Sequence, residues 1–251
     1  MGLLMKIIPL SEGAFSIDKT KVFVPFNKET DDLQQRALGS LLVEVQPFVI
    51  ITSKDIILLD TGLGFSNADG VLQIHQNLIN NGINPMDVTK VLLSHLHKDH
   101  AGGAAKEDVV LKKQYLSFPA ATYYVNKQEL AYALQTGKPS FTPDEFMILE
   151  TAENVSFVEG NGSIDNYIRY ETTGAHSPYH MVFWIEDEGE ILFFGADVAP
   201  QLQQMKSRFV AKYDYDGKKC MELRQQWWQQ AQEEHWTFLF YHDIKTPIIV
   251  L

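Results

Sequence analysis

The chain has 251 residues, of which 45% are hydrophobic and 21% charged, an ordinary balance for a globular protein with a sizeable core. The formal net charge is −11 and no Lys/Arg-rich run occurs, so the composition predicts no nucleic-acid partner. Because Cys220 is the only cysteine, the chain cannot form an intrachain disulfide framework or a zinc cluster of several thiolates.

The first predicted element is a strand at Met5–Pro9. Its apolar run is interrupted by Lys6 and follows no basic region, which favours a strand over a signal peptide. No stretch approaches the ~18 uninterrupted apolar residues of a transmembrane helix. These features predict a cytoplasmic protein with no membrane partner.

Strand-like and helical patterns alternate through the rest of the first half. Strands are predicted at Lys21–Pro25, Leu41–Ile51 and Asp55–Leu59, and the last two form a hairpin around "TSK". Apolar residues at helical spacing predict a helix over Asn67–Asn81. The segment "INPMDVTKVLLSH" then predicts a turn and a short buried strand, and the small residues after Gly103 predict another helix.

The second half continues the alternation. A strand in "ATYYV" precedes two predicted helices, "NKQELAYALQ" and "TPDEFMILET", which begin at the capping residues Asn126 and Thr142. The later predicted elements are strands at Val155–Val158, Tyr167–Glu171, Met181–Trp184 and Ile191–Phe194, a helix at Lys218–Glu234 and a strand in "TFLFYHD". No linker or repeat divides the chain, so we predict one domain, residues 1–251, with sheets inside and helices outside.

One loop, "VLLSHLHKDHAGG", holds three of the eight histidines of the chain. Residues two apart in an extended segment project to the same side, so His95 and His97 can hold one cation together. Asp99 and His100 follow a turn and can face a second position. The pair Gly102–Gly103 allows a tight turn or close packing there. Imidazole and carboxylate ligands without cysteine suit zinc, manganese or iron at a hydrolytic site.

This loop, with its His-x-His-x-Asp-His pattern, and four further segments resemble the metallo-β-lactamase-fold hydrolase superfamily. The further segments are "ILLDTGLG", "TTGAHSPYH", "ILFFGADVAP" and "FLFYHD". All five occur in the order of the family, and each follows a strand-like stretch, so the resemblance covers essentially the whole chain. It implies an α/β fold: a four-layer αββα sandwich with two mixed sheets inside and helices outside.

The resemblance also implies a site for two divalent metal ions, with zinc expected and manganese or iron as alternatives. The implied ligands are His95, His97 and His176 for one ion, Asp99, His100 and His242 for the other, and Asp197 between both, beside a shared hydroxide. The same resemblance gives Asp197 and Asp99 catalytic roles, the latter in proton handling. It places Asp60 and His180 behind the ligands as supporting residues.

The segment from Gly195 to Asp243 resembles the branch that contains quorum-quenching lactonases and methyl-parathion-hydrolase-like enzymes. Its markers are Asp197–Pro200, Tyr213–Asp214 and the following helix. The implied function is hydrolysis of a small-molecule ester or lactone. An acylglutathione thioesterase, a phosphotriester hydrolase, an iron-containing redox enzyme of the same fold and a metal-holding protein without turnover stay open. A homodimer also stays open.

Two residues depart from the pattern of the branch. Pro200 stands where acyl-homoserine-lactone hydrolases carry a tyrosine, so that phenol is missing. Lys98 lies inside the ligand loop, either as a solvated side chain or as a charge that influences substrate approach. The aromatic segments "KVFVPF" and "FPAATYYV" either line a pocket above the metals or belong to the core or a dimer contact. The substrate-binding residues are therefore left unassigned.

Overall fold

The computed structural model describes residues 5–108 and 112–251. Its strands are β1 (Lys6–Pro9), β2 (Gly13–Ile17), β3 (Val24–Pro25), β4 (Leu41–Val45), β5 (Phe48–Ile51), β6 (Ile56–Leu59), β7 (Lys90–Leu92), β8 (Ala105–Asp108), β9 (Lys113–Leu116), β10 (Thr122–Asn126), β11 (Val155–Val158), β12 (Asn161–Ile164), β13 (Ile168–Thr172), β14 (Met181–Asp187), β15 (Glu190–Phe194), β16 (Trp236–Leu239) and β17 (Ile248–Val250). Its α-helices are α1 (Gln73–Asn80), α2 (Lys98–Ala101), α3 (Lys127–Thr136), α4 (Leu202–Met205) and α5 (Gly217–Glu234). Within the described ranges, no helix is both long and apolar enough to cross a membrane.

Two six-stranded sheets form the centre of the fold. The first has the order β1-β5-β6-β7-β10-β11, and the second has the order β12-β13-β14-β15-β16-β17. Both are mixed: β6, β7, β10 and β11 run parallel, and so do β15 and β16, while the remaining neighbours are antiparallel. The predicted hairpin around "TSK" is confirmed, because β5 and β6 pair in antiparallel register.

Alternating side chains of the strands separate the layers. On β5, Phe48 and Ile50 pack between the two sheets, whereas Val49 faces the outer cluster that contains residues of α1 and α3. On β14, Phe183 points inward, while Trp184 packs outward with Trp227 of α5. This period of two lets each sheet bury both faces, one against the other sheet and one against helices. The expected four-layer αββα sandwich is confirmed.

The parallel strands bring distant parts of the sequence to common edges. The neighbours β6 and β7 run parallel, so Asp60 and the histidine loop leave the first sheet at the same edge. In the second sheet β15 and β16 run parallel, so Asp197 and His242 leave it together. Open sheets commonly bind ligands outside the carboxyl ends of parallel strands.

The predicted strand Leu41–Ile51 is wrong as one element, because it is two strands in different sheets. It divides at Gln46 and Pro47, into β4 of a three-stranded sheet and β5 of the first six-stranded sheet. Proline has no backbone N–H to continue the ladder. The Gln46 side chain instead donates hydrogen bonds to the carbonyl oxygens of Phe240 and Asp243, at 2.8 and 3.1 Å.

Two predicted helices are also wrong. The segment after Gly103 forms strand β8, which pairs with β9, because a neighbouring strand supplies hydrogen bonds that local propensity does not reveal. The helix predicted from Thr142 is two 3₁₀ turns, Pro143–Glu145 and Met147–Glu150. Its Thr142 makes no side-chain cap, whereas Asn126 caps α3 as predicted by accepting two backbone N–H groups.

Two other predicted elements are shorter in the structure. Within Lys21–Pro25, only Val24–Pro25 is a strand, since Lys21 has a φ of 58°. Helix α1 begins at Gln73 and not at Asn67, whose side chain accepts hydrogen bonds from the backbone of Asp69 and Val71 and so holds a turn. Strands β2, β9, β12 and β17 were not predicted.

Candidate metal centre

The structure brings the seven predicted ligands together at the edges of the two central sheets. They form two groups, and within each group one candidate ligand atom per residue lies within 4.8 Å of the others. The first group is His95, His97, His176 and Asp197, and the second group is Asp99, His100 and His242. His95 and His97 follow β7, His176 lies between β13 and β14, Asp197 follows β15, and His242 follows β16.

Three ring nitrogens converge in the first group. Nδ1 of His97 lies 2.9 Å from Nε2 of His95 and 3.1 Å from Nε2 of His176. Oδ2 of Asp197 lies 3.1 Å from Nε2 of His176 and 3.9 Å from Nε2 of His95. Three imidazoles and one carboxylate therefore face a common point.

The second group faces the other oxygen of the same aspartate. Oδ1 of Asp197 lies 3.1 Å from Nε2 of His100 and 3.0 Å from Nε2 of His242. Oδ2 of Asp99 lies 3.7 and 3.5 Å from the same two nitrogens. Asp197 thus stands between the groups with one carboxylate oxygen toward each.

Asp60 orients histidines of both groups. Its Oδ2 accepts a hydrogen bond from Nδ1 of His100 at 2.8 Å and from Oγ of Ser94 at 2.7 Å. Because the Ser94 hydroxyl donates to Asp60, it is free to accept from Nδ1 of His95, 3.0 Å away. Both rings consequently point Nε2 toward the centre of their group. In metal sites, a carboxylate that binds one ring nitrogen in this way leaves the other nitrogen free to ligate the metal.

Further supports were missed by the sequence analysis. Nδ1 of His176 donates to Oδ1 of Asp214 at 2.7 Å, and Nδ1 of His242 donates to the carbonyl oxygen of Glu44 at 2.7 Å. Asp214 belongs to the Tyr-Asp pair that marks the branch, but the sequence does not indicate its contact with His176. A backbone carbonyl such as that of Glu44 leaves no signal in a sequence.

His180 lies behind the first group in a different way. The ring is buried, its centroid lies 4.9 Å from that of His95, and among the described residues neither ring nitrogen has a hydrogen-bond partner. Burial, together with the charge of His176, holds the pKa of His180 well below its ordinary range. His180 is therefore a neutral packing neighbour of the ligand histidines in this structure.

The paired glycines after the loop allow two backbones to touch. A Cβ on Gly103 would lie 2.2 Å from the carbonyl oxygen of Thr61, and one on Gly102 would lie 2.5 Å from the backbone of Leu63. Any side chain here would push the histidine loop away from the strand end that carries Asp60. The predicted close packing is confirmed.

Burial and charge divide the histidines into two classes. Burial and the neighbouring imidazoles hold the pKa of His95 and His97 well below the ordinary range, so both rings are neutral. Burial also opposes the charge of His176, but the carboxylates of Asp197 and Asp214 outweigh it and raise its pKa to about 9. Since metal ligation needs neutral imidazole, a metal ion held by His176 would displace a proton.

The second group is dominated by the carboxylates. Burial opposes the charge of His100, yet Asp197 and Asp99 raise the pKa of His100 well above its ordinary range. Burial works against the ionised form of Asp197 too, but His242 and His100 hold the pKa of Asp197 well below its usual range. A carboxylate that stays ionised between several imidazoles is suited to a cation.

Two buried polar atoms that lack hydrogen-bond partners indicate that these residues fit a divalent metal ion. Nε2 of His100 and Oδ1 of Asp197 lie 3.1 Å apart, yet neither has a partner with hydrogen-bond geometry among the described residues. Buried polar atoms are seldom left in that state unless another species satisfies them. The histidine and aspartate donors are the ligand types of zinc, manganese and iron sites, and they fit such an ion.

A cavity of about 490 Å³ opens over both groups. Phe23 lines it, whereas Phe118 and Tyr123 of the second aromatic segment lie in the hydrophobic core. Pro200 and Lys98 also line the cavity, and so does Tyr213, the ring centroid of which lies 6.3 Å from that of His176. The cavity has the size and the mixed lining of a small-molecule site.

Comparison with known proteins points to one family. The model of the metallo-beta-lactamase superfamily matches residues 43–226. A search of curated proteins by sequence returned no match.

Solved structures share the whole fold at low identity. A probable metal-dependent hydrolase from Staphylococcus aureus is 19% identical, with a TM-score of 0.78 over 100% of this chain and 93% of that chain. AidC, a dizinc quorum-quenching lactonase in complex with a product, is 18% identical, with a TM-score of 0.73 over 99% and 90%. The hydrolase AbOPH of the beta lactamase superfamily is 21% identical, with a TM-score of 0.72 over 97% and 89%. At such identities the likeness is one of fold.

Proposed function

This chain belongs to the metallo-β-lactamase superfamily, and from that premise we propose that it is a hydrolase with two divalent metal ions, zinc first among them, that cleaves a small-molecule ester or lactone. The observation that carries this proposal is the position of Asp197. One of its oxygens lies about as close to the first group as the other lies to the second, at 3.1 Å from His176 and 3.0 Å from His242. A carboxylate in that position suits a site for two ions.

The two groups assign the ligands. His95, His97 and His176 would hold one ion, Asp99, His100 and His242 the other, and Asp197 both. When bound, such a pair of ions supplies Lewis acidity at the scissile carbonyl and a water of lowered pKa. Asp60 keeps His95 and His100 in the tautomers that this arrangement needs.

The residues of the chain also account for orientation and proton handling. Asp99 lines the cavity, and its Oδ2 is 3.5 Å from Nε2 of His242, farther than Asp197. This looser contact suits Asp99 to receive a proton from the attacking water and to pass it to the leaving oxygen. Tyr213 lines the same cavity. Its phenol could take the place of the tyrosine that lactone hydrolases of the branch carry at the position of Pro200.

The cavity supports a small substrate with an apolar part. Leu41, Leu42 and Val43 of β4 and Phe23 of the preceding segment form one of its walls. Sites of this kind bury most of a small ligand against apolar side chains and orient it with a few polar groups. The lactonase described among the solved structures has the same fold, which favours lactones and esters as the first substrates to test.

The decisive experiment couples metal analysis to a substrate panel. Purified protein is assayed for bound metal by mass spectrometry and for turnover of acyl-homoserine lactones, aryl esters, phosphotriesters and acylglutathione. We expect about two equivalents of zinc and turnover of the lactones or esters. Asp197→Ala should lower bound metal to one equivalent or less and reduce turnover by about 10³-fold or more, because Asp197 contributes to both sites.

The exposed Asp69 provides the matched control, since Asp69→Ala should leave metal content and turnover at wild-type levels. Unchanged metal content in Asp197→Ala would refute the ligand assignment. Two irons with oxygen or thiol consumption and no ester turnover would identify a redox enzyme instead. Faster turnover of a phosphotriester or of acylglutathione would overturn the ester and lactone assignment alone.

A further inference from the structure

The charge around the cavity is opposite to that of the chain as a whole. The chain carries a formal charge of −11. Yet the described residues that line the cavity include Lys19, Lys21, Lys98 and Lys212, with Asp18 as the one acid outside the two ligand groups. These four lysines are called the lysine rim below. Clefts lined by charge of one sign attract ligands of the opposite sign, so a cluster of lysines at this cavity of an acidic protein indicates an anionic ligand.

Two lysines of the rim lie partly inside the protein. Lys98, in α2 beside Asp99, is half-buried, with its Nζ 5.6 Å from the ring centroid of Phe23. Lys21 is half-buried too, with its Nζ 5.8 Å from the ring centroid of Tyr213. Both ammonium groups therefore act on the cavity and not only on bulk water.

The lysine rim has no carboxylate partners. Within residues 5–108 and 112–251, the ion pairs of lysine and arginine involve Lys28, Lys90, Arg169 and Lys218, and no rim lysine lies within 4.0 Å of a carboxylate. Asp18 is engaged by Thr20, whose backbone N–H and hydroxyl donate to it at 2.9 and 2.6 Å. The four ammonium groups of the rim are therefore available to an anion that enters the cavity.

One further acid faces Lys98 from outside the cavity lining. Burial raises the pKa of Glu145 to about 7, although Lys98 acts in the opposite direction. Near neutral pH this carboxyl is therefore only partly ionised and neutralises Lys98 incompletely. The net charge that the rim presents to a ligand stays positive.

We propose that the substrate carries a second group that is anionic, a carboxylate or a phosphate, held by the lysine rim while the scissile bond lies over the two ligand groups. This assignment rests on the proposed hydrolytic function and names its substrate class. The apolar wall of Phe23, Leu42 and Val43 would contact the segment between the two ends. A neutral acyl chain would fill the same wall but leave the lysines without a partner.

Matched esters test the proposal directly. The pair is mono(4-nitrophenyl) adipate, with a free carboxylate, and methyl 4-nitrophenyl adipate, which is neutral and has the same leaving group. A third ester ends in a phosphate and separates the two anion classes. We expect kcat/KM to be about tenfold higher for an anionic ester than for the neutral one, and this ratio to fall as salt rises from 0.05 to 0.5 M because ions screen the rim.

Variants locate the effect on the rim. Lys21→Met combined with Lys98→Met should lower the anionic-to-neutral ratio of kcat/KM by about tenfold. Because Lys98 lies within the ligand loop, Lys21→Met with Lys212→Met is a second variant, and metal content is measured for both. Lys127→Met, an exposed lysine of α3, is the matched control and should keep the wild-type ratio. A ratio near one in wild type, or equal loss on both esters, would overturn the proposal.

A binding measurement separates this inference from the hydrolytic function. Hexanoate, hexylphosphonate and hexanamide contain no ester and are titrated calorimetrically into wild type and into both double variants. The two anions should bind at least about tenfold more tightly than the amide, and the variants should lose that preference at unchanged metal content. Equal binding of all three compounds would overturn the lysine rim as an anion site. Tight anion binding that both double variants lose, without turnover of any ester, would refute the hydrolytic function and leave the rim assignment standing.

Discussion

The floor of the cavity and the lysine rim above it are built in different ways. The floor consists of the two ligand groups, which lie at the ends of β7, β15 and β16 and in the loop after β13. The rim lies on connecting segments, at residues 19 and 21 between β2 and β3 and at residue 212 after α4, with Lys98 as its link to the floor. Loops that a rigid scaffold positions commonly carry binding residues.

The two regions also differ in how their charges are satisfied. On the floor, Nδ1 of His100 and of His176 donate to the carboxylates of Asp60 and Asp214, and Nδ1 of His242 donates to the backbone carbonyl oxygen of Glu44. On the rim, the described ammonium groups have no carboxylate within ion-pair distance. The floor is thus organised before a ligand arrives, whereas the rim is completed only by one. Reaction chemistry and substrate choice can then be changed separately.

The largest difference between the floor and the rim is expected for metal affinity, in variants of the residues that hydrogen-bond to the histidines of the floor. Asp60→Asn should weaken metal binding by about 10–100-fold at both sites, because the carboxylate serves His100 directly and His95 through Ser94. Asp214→Asn should weaken one site alone, because Asp214 contacts His176 of the first group. Competition with a metal chelator measures both affinities.

A buried aspartate elsewhere in the fold gives the control for these variants. Asp187 accepts hydrogen bonds from the backbone N–H and the hydroxyl of Ser53, and it lies at the end of β14 opposite to the end that follows the His176 loop. Asp187→Asn should alter stability and leave metal affinity unchanged. If Asp60→Asn weakened only one site, the role of Asp60 as a common support would be wrong. Equal weakening of both sites by Asp214→Asn would contradict its contact with the first group alone.

A smaller effect on activity is expected from the wall between floor and rim. Leu42→Ala removes apolar surface from the cavity, so kcat/KM for a hexanoyl ester should fall by about tenfold relative to the acetyl ester. Metal content should not change. Leu33→Ala, at an exposed leucine outside the cavity lining, is the control. Equal losses on both esters would show that Leu42 supports the floor and not the acyl chain.

The substitution of Glu12 is expected to change stability and not activity. Glu12 lies beneath the Gly62–Leu63 turn, which packs on the histidine loop. Burial raises the pKa of Glu12 from 4.5 to about 8, although the backbone N–H of Leu63 donates to it at 2.6 Å. Between these pH values the folded chain keeps a proton that the unfolded chain releases, so stability falls as pH rises through the window. Glu12→Gln keeps the acceptor and removes the titration.

Thermal unfolding at several pH values checks this expectation. Glu12→Gln should be more stable than wild type at pH 9 by at least about 2 °C in Tm and should show a shallower loss of stability from pH 5 to 9. Glu233→Gln, at an exposed glutamate of α5, should follow the wild-type slope. Parallel pH profiles for Glu12→Gln and wild type would contradict the assignment of Glu12 as a buried, protonated carboxyl.

Much of the fold could be predicted where a pattern is local. Strand β11 and the cap of α3 by Asn126 follow from alternation and from a short polar side chain, which act within a few residues. The predictions failed where partners are distant. Strand β8 exists because β9 pairs with it, and the run Leu41–Ile51 divides because its two parts join different sheets.

The sequence by itself determined the four residues of the histidine loop, because their types and spacing carry the chemistry of a metal site, and its resemblance to the superfamily added His176, Asp197 and His242. Only the tertiary structure decided that one oxygen of Asp197 faces each group, that Asp214 and the carbonyl of Glu44 accept hydrogen bonds from two of the histidines, and that four lysines line the cavity. The physical reason is range. Side-chain chemistry is a property of each residue, whereas hydrogen-bond direction and the field at a cavity are set by residues that the fold brings together from distant parts of the chain.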